Sequence, residues 1–290
     1  MGSDHDQAAG LRGVNPQAHK QLRVIAVFSG KGGVGKTHMA ANLAVLAARR
    51  GDRVLLMDAD LGLANVEILF GIKPKYHLGH VLDGSISVEQ AIAPGPSGVG
   101  VLPAGSGLPE LTHLSDAQKM QVVTALDPLE DRYDVVIIDS GAGIGDNVLF
   151  FTGAAQEAVL VLTPEPTSFA DAYAALKVVC QRGGMRTFNV IVNQAQGEAS
   201  ARDLFGRLGQ IAERFLPVQL KYLGSVPRDE NMHRAVMAQK PLVELFPASL
   251  ATRALTQVGA RLFQEAPTAP LDGGMKFLYQ RLLREAPSIG

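Results

Sequence analysis

The sequence predicts an α/β fold: a mostly parallel, twisted sheet with helices on both faces, followed by a C-terminal amphipathic helix. Three observations predict it. Apolar runs of strand length alternate along the chain with longer stretches of helical periodicity. Two of the apolar runs end in aspartate, at Asp58 and Asp139, and are apolar at nearly every position, as strands buried on both faces are. Between the first apolar run and the first helical stretch lies Gly30-Lys31-Gly32-Gly33-Val34-Gly35-Lys36-Thr37, with the glycine and lysine spacing of a phosphate-binding loop.

Composition sets the bounds. A chain of 290 residues has room for one large α/β domain or two small ones. Its 27 basic and 28 acidic residues leave a net charge of −1, so nothing drives the whole molecule toward nucleic acid or acidic lipid, and such binding would need a local patch. The single cysteine, Cys180, excludes an internal disulfide or a four-cysteine metal site and reads as a small buried hydrophobe. No apolar run has the length of a membrane span, and the acidic, polar start is unlike a signal peptide. Met1-Gly2-Ser3 begins like a myristoylation signal, but Asp6 breaks the pattern. These features predict a cytoplasmic compartment.

Residues 1–21 are polar and read as a flexible tail. Residues 23–28 form the first predicted strand and 39–48 the first helix. In the loop between them, glycines let successive N–H groups turn inward, and the helix start adds unsatisfied N–H groups and a positive dipole end. Lys36 would bind β- and γ-phosphates and the Thr37 hydroxyl would ligate Mg²⁺. Residues 53–57 are the second strand, ending in Asp58-Ala59-Asp60, where one or both carboxylates can order metal-bound or attacking water. Residues 72–97 read as short helices and loops, and 99–103 as a strand. Ser115-Asp116-Ala117-Gln118 has the spacing of a reciprocal cap, with Met120, Val123 and Leu126 as the apolar face of its helix.

Residues 133–139 make the plainest strand, and Asp139 at its end is placed to hold Mg²⁺ through water. Ser140-Gly141-Ala142-Gly143-Ile144-Gly145 reads as a flexible loop. Then come a strand at 157–163, a helix at 168–180, a strand at 187–193, an amphipathic helix at 199–215, a strand at 220–227 and a helical stretch at 231–263. Asn193-Gln194-Ala195-Gln196 follows the penultimate strand and lacks the aspartate that would accept from guanine, which favours adenine. Prolines and glycines break the chain over 264–274. Over 275–290, Met275, Leu278, Tyr279, Leu282 and Leu283 share one helical arc, opposite Lys276, Gln280, Arg281 and Arg284. The expected organisation is a tail at 1–21, a nucleotide domain at 22–263, a linker and a terminal amphipathic helix. The apolar arc and basic face of that helix suit an anionic headgroup surface, with Phe277, Leu278, Leu282 and Leu283 as the inserted side chains.

Lys31, directly after the first glycine, makes the loop resemble the deviant phosphate loop of the MinD/ParA ATPases. Residues 22 to 263 as a whole resemble that group. The resemblance implies ATP and Mg²⁺ as cofactors and an ATP-dependent sandwich homodimer in which Lys31 reaches the partner's phosphates. It implies Asp60 as the residue that positions hydrolytic water, with Lys31 and Lys36 beside it in catalysis, and a metal shell of Thr37, Asp58 and Asp139. It places nucleotide contacts at Gly30, Lys31, Gly32, Gly33, Val34, Gly35, Lys36, Thr37 and His38, with Asn193, Pro227, Arg228 and Asp229 around the base. His38 closes that loop where the family often has threonine; it is expected to face away from the phosphates as a first-turn helix residue. Residues 61–71 and 140–145 resemble the family's two switches.

The segment Asp6-Gln7-Ala8-Ala9-Gly10-Leu11-Arg12, with Asp58 to Asn65 and Gly143 to Asp146, is similar to the FlhG/FleN branch of that family, which limits flagellar number. That branch implies a signal-recognition-type GTPase, FlhF, as partner, stimulated through Asp6, Gln7, Ala8, Leu11 and Arg12. It also implies a flagellar transcription activator and flagellar switch components as partners, and ATP-dependent peripheral attachment to the cytoplasmic membrane. The alternative is a MinD/ParA-type ATPase that positions a division site or other cargo. A cell-division MinD would lack the N-terminal motif, a DNA-partitioning protein would need a basic surface, and an iron–sulfur carrier would need more cysteines. No direct nucleic-acid binding is expected.

Overall fold

The computed structural model describes residues 22–61, 65–105 and 111–264. Among the described residues, eight strands form one sheet. They are β1 (Arg23–Ser29), β2 (Val54–Ala59), β3 (Ala93–Pro94), β4 (Gly100–Leu102), β5 (Val135–Ala142), β6 (Glu157–Leu162), β7 (Thr187–Ala195) and β8 (Gln219–Pro227). Their order across the sheet is β3-β4-β2-β5-β1-β6-β7-β8. All pairs are parallel except the short β3–β4 ladder at one edge. The predicted parallel α/β sheet is therefore present, with a two-residue antiparallel edge strand that carries too little pattern to be read from sequence.

Alternation along each strand splits the core between the faces. On β1, Ile25 and Val27 face one way with α1 (Lys36–Arg49) and α11 (Leu250–Gln264). Val24 and Ala26 face the other way, toward α5 (Asp116–Leu126) and α6 (Asp146–Ala154). Further along that face, α7 (Pro166–Arg182) and α8 (Glu198–Phe215) cover β6 and β7, with Phe28 and Phe188 packed at 5.9 Å between ring centres. Both faces are thus buried, which is why the strands are apolar throughout rather than alternating.

The reciprocal cap of α5 forms as predicted: the Ser115 hydroxyl accepts from Gln118 N–H, and the Gln118 side chain accepts from Ser115 N–H. Its buried face is Val122, Val123 and Leu126, with Val122 in the place expected of Met120. The expected loop at 140–145 begins later. Ser140, Gly141 and Ala142 continue β5, because Ala142 still pairs with Ser29. The helical stretch after β8 is three helices: α9 (Glu230–Met237), α10 (Leu242–Leu245) and α11. Short helices α2 (Val66–Leu69), α3 (Leu78–Leu82) and α4 (Val88–Ala91) fill the 66–91 region. No described helix is long and apolar enough to cross a membrane.

Candidate functional site

The C-terminal ends of β1, β2 and β5 meet at the glycine loop. A Cβ on Gly30 would lie 2.0 Å from the Asp171 carbonyl oxygen of α7, so the loop can leave β1 only with glycine there. Gly33 and Gly35 take positive φ values of 79° and 88°, which turn the backbone into α1. That helix opens without a side-chain cap and with no acidic residue in its first turn. Its first N–H groups and positive dipole end are left for an anion. They border a cavity of about 340 Å³, lined on the loop side by Lys31, Gly32, Gly33, Gly35, Lys36, Thr37 and His38. Asp60, Asn65, Ile68, Leu69, Ala142 and Val236 form its other walls.

The two strand-end carboxylates are neighbours: Asp58 of β2 stands in register with Asp139 of β5, and both are fully buried. Lys36 Nζ lies 3.2 Å from Asp139 Oδ1. Asp139 Oδ2 is buried with no hydrogen-bond partner. Burial pushes the Asp139 carboxyl above its ordinary range, opposed by the Lys36 charge and the Thr37 hydroxyl. Asp58 accepts from three backbone N–H groups, those of Asp60, Asn65 and Val66. Burial, and then the neighbouring Asp139, push its carboxyl up to about 7 against those bonds. Both Asp58 oxygens are therefore engaged in holding the start of α2 and the turn at Asp60. Asp60 lines the cavity, and a Cβ on Gly141 would lie 3.7 Å from its Oδ1.

Lys31 and Lys36 are held differently. Lys36 is buried in the pair with Asp139, whereas Lys31 sits on the rim, with Nζ 2.9 Å from Glu165 Oε2 and 3.0 Å from Thr167 Oγ1. Sequence reasoning missed these two partners. The signal was available, since Glu165 and Thr167 follow the end of β6 at the same edge of the sheet as the loop. His38 lines the cavity beside Thr37, its ring makes no hydrogen bond to the described residues, and burial lowers its pKa.

Asn193 is buried at the end of β7 and donates from Nδ2 to the Val34 carbonyl at 2.7 Å. Pro227 pairs with Ala195, so the turn after β8 starts beside the turn after β7. Arg228 and Asp229 border a separate surface depression with Arg234 and Ser249, outside the loop cavity. Asp229 accepts from Asn231 N–H at the start of α9 and from Ala251 N–H at the start of α11. Asp6, Gln7, Ala8, Leu11 and Arg12 lie outside the described residues, as do the expected membrane side chains Phe277, Leu278, Leu282 and Leu283.

The donor set fits a small hard cation. Asp139 offers an unpaired buried carboxylate oxygen and Thr37 a hydroxyl at the cavity wall. Among the described residues no cluster of three or more His, Cys, Asp or Glu is placed to hold a metal by itself. Few protein ligands with phosphate oxygens completing the shell is the pattern expected of Mg²⁺ rather than of zinc.

Residues 20–263 match the family model described as ParA, NUBPL iron-transfer P-loop NTPase. The chain is 42% identical to the antiactivator FleN of Pseudomonas aeruginosa over 269 residues, covering 93% of this chain and 96% of that one. It is 30% identical to the flagellum site-determining protein YlxH of Helicobacter pylori, covering 90% of each. Among solved structures, the septum site-determining protein MinD of Pyrococcus horikoshii, complexed with Mg-ADP, superposes with a TM-score of 0.71 at 25% identity, covering 84% of this chain and 96% of that one.

Proposed function

The chain belongs to the ParA family of P-loop NTPases and is a MinD-like ATPase, and we propose that it uses ATP to switch a dimer that sets flagellar number and placement. The observation that carries the reading is the junction of Lys36, Thr37 and Asp139 under a helix start with no acidic residue in its first turn. Phosphoryl transfer needs charge neutralisation and a placed water more than covalent help.

Each residue then has a role. The loop N–H groups and Lys36 bind the phosphates. Thr37 and Asp139 hold Mg²⁺, which when bound would neutralise phosphate charge, and Asp58 supports that shell by fixing the turn at Asp60. Asp60 orients the attacking water from the cavity wall. Lys31, on the rim and bound only to solvent-exposed partners, is free to reach the phosphates of a second copy. The ends of β7 and β8 give the base its surroundings, with Pro227 and Arg228 beside it, and adenine is the base.

The flagellar reading rests on 42% identity along almost the whole of the antiactivator FleN and 30% identity to the flagellum site-determining protein YlxH, together with the motif at Asp6 to Arg12. The motif stimulates an FlhF-type GTPase, with Gln7 helping to place water and Arg12 anchoring the segment or stabilising charge. The C-terminal amphipathic stretch attaches the ATP-bound dimer to an anionic membrane surface. A flagellar transcription activator and switch components are further partners. The likeness to MinD supports a coarser alternative, an ATPase that positions a division site or other cargo. One experiment separates the two: deletion of residues 1–20 should abolish stimulation of the partner's GTP hydrolysis while the chain's own ATPase persists. An unchanged stimulated rate leaves only the coarser alternative.

A further inference from the structure

We propose that Asn147 is a positioning residue for hydrolysis: it ties the start of α6 to the turn ahead of α5 and, through Val148 and Gly141, sets where the Asp60 carboxylate stands. The inference rests on the reading of Asp60 as the residue that orients the attacking water.

The tie is made by one amide. Asn147 Nδ2 donates to the Leu111 and Thr112 carbonyls, at 3.0 Å each, and Oδ1 accepts from Leu114 N–H at 3.2 Å. A primary amide has two N–H donors, and here they serve two adjacent carbonyls. All three partners are backbone groups 33 to 36 residues away in sequence. Asparagine in the first turn of a helix ordinarily bonds to nearby backbone of its own segment. In α6 the cap position is Gly145, no side chain caps the helix, and Asn147 reaches outward instead. Its target is firm, because Leu111 and Leu114 are buried in the same core cluster as Met57 of β2 and Ile138 of β5.

The effect reaches the cavity in two steps. Val148 follows Asn147 and is buried, and its Cγ2 lies 3.5 Å from the point where a Cβ on Gly141 would stand. Asp60 Oδ1 lies 3.7 Å from that same point. The first turn of α6 and the Asp60 carboxylate therefore meet at Gly141, which puts only backbone between them. The segment leading into α6 is pinned at its start, where Gly143 N–H donates to the Ser29 carbonyl at 2.9 Å. Ile144, Gly145 and Asp146 then run exposed as far as Asn147. Phe150 and Phe151 seat the body of α6 in the core, so the amide governs its first turn and not whether the helix forms.

The test is single-turnover ATP hydrolysis with Mg²⁺ by the full chain, beside the affinity of a fluorescent ATP analogue and dimer formation by light scattering. Asn147→Ala should lower the hydrolysis rate by about tenfold to a hundredfold, the scale of misplacing a catalytic group by up to about 1 Å. Affinity and the ATP-dependent dimer should be unchanged. In the Asp60→Ala background the same substitution should lower the rate no further, because both act on one water. A residue that only supports the fold would lower the urea midpoint and leave the rate of the folded chain as it was, and that result would overturn the proposal. So would a loss of affinity matching the fall in rate, or a further fall in the Asp60→Ala background. If Asn147→Ala does not fold, Val148→Ala decides. It keeps the amide and removes the next contact in the route, so its rate should fall with affinity unchanged, and wild-type turnover would refute the route. Normal turnover by Asp60→Ala alone removes the premise instead, a distinct failure.

Discussion

Lys31 and Glu165 form an ion pair of 2.9 Å between the glycine loop and the start of α7, with the two side chains 39% and 60% exposed. Such exposed pairs are worth roughly 0.2–1 kcal/mol and weaken with salt, so this one holds Lys31 loosely. Lys36, five residues on, is buried against Asp139. The loop therefore carries one lysine fixed inside its own protomer and one parked at the surface.

That contrast predicts separable phenotypes. Lys31→Ala and Glu165→Gln should each leave monomer stability within about 1 kcal/mol in urea titrations. Lys31→Ala should lose the ATP-dependent dimer, whereas Glu165→Gln should keep it. A Lys31→Ala chain that dimerises with ATP like wild type would remove the sandwich arrangement.

The paired acids predict a pH dependence of known sign. Folded Asp58 titrates at about 7, against an ordinary value near 3.8. Between those values the folded chain holds a proton that the unfolded chain has lost. Stability of the nucleotide-free protein should thus be greatest below the window and fall as pH rises through it. Asp139 is shifted in the same direction and adds to the slope. Urea midpoints at pH about 5 and about 7.5 should differ accordingly, and Asp58→Asn should narrow the difference. A midpoint that rises across this range would contradict the assignment.

Much of this site was legible beforehand because its signals are local. Glycine spacing, an apolar strand before the loop and a helix after it fall within 30 residues, and Asp58 and Asp139 each close an apolar run. The cap at Ser115 and Gln118 is likewise a four-residue pattern. What escaped depends on contacts far apart in sequence. Glu165 meets Lys31 across 134 residues and Asn193 meets Val34 across 159. Whether Gly141 belongs to a loop or a strand depends on β1 continuing alongside β5 as far as Ser29, which no local pattern encodes. Choosing Met120 over Val122 for the buried face of α5 is a small rotation about the helix axis, settled by what the sheet offers.

At the opposite end of β1, Arg23 pairs with Glu157 at 2.7 Å and donates to the Leu262 carbonyl near the end of α11. Both side chains are largely buried. Glu157→Ala would leave the buried guanidinium without this carboxylate and should destabilise the fold by about 3 kcal/mol, read as a lowered denaturation midpoint. A loss below about 1 kcal/mol would mean that the pair behaves as a surface contact.

Membrane attachment is tested by flotation with anionic liposomes. The wild-type chain should float only with ATP and Mg²⁺, and Leu282→Glu should stay in the soluble fraction, because a charge on the apolar arc opposes insertion. Flotation of Leu282→Glu equal to wild type would remove the C-terminal amphipathic sequence as the anchor.

The central claim is that ATP bound at this cavity joins two copies and that Asp60 then ends the state by hydrolysis. Size-exclusion chromatography with light scattering on Asp60→Ala, with Mg²⁺ and either ATP or ADP, tests it most directly. The expected result is a persistent dimer with ATP, a monomer with ADP, and a hydrolysis rate lowered by roughly two to three orders of magnitude, the scale of one preorganised electrostatic group. A monomer in both nucleotides, or normal turnover by Asp60→Ala, would contradict it.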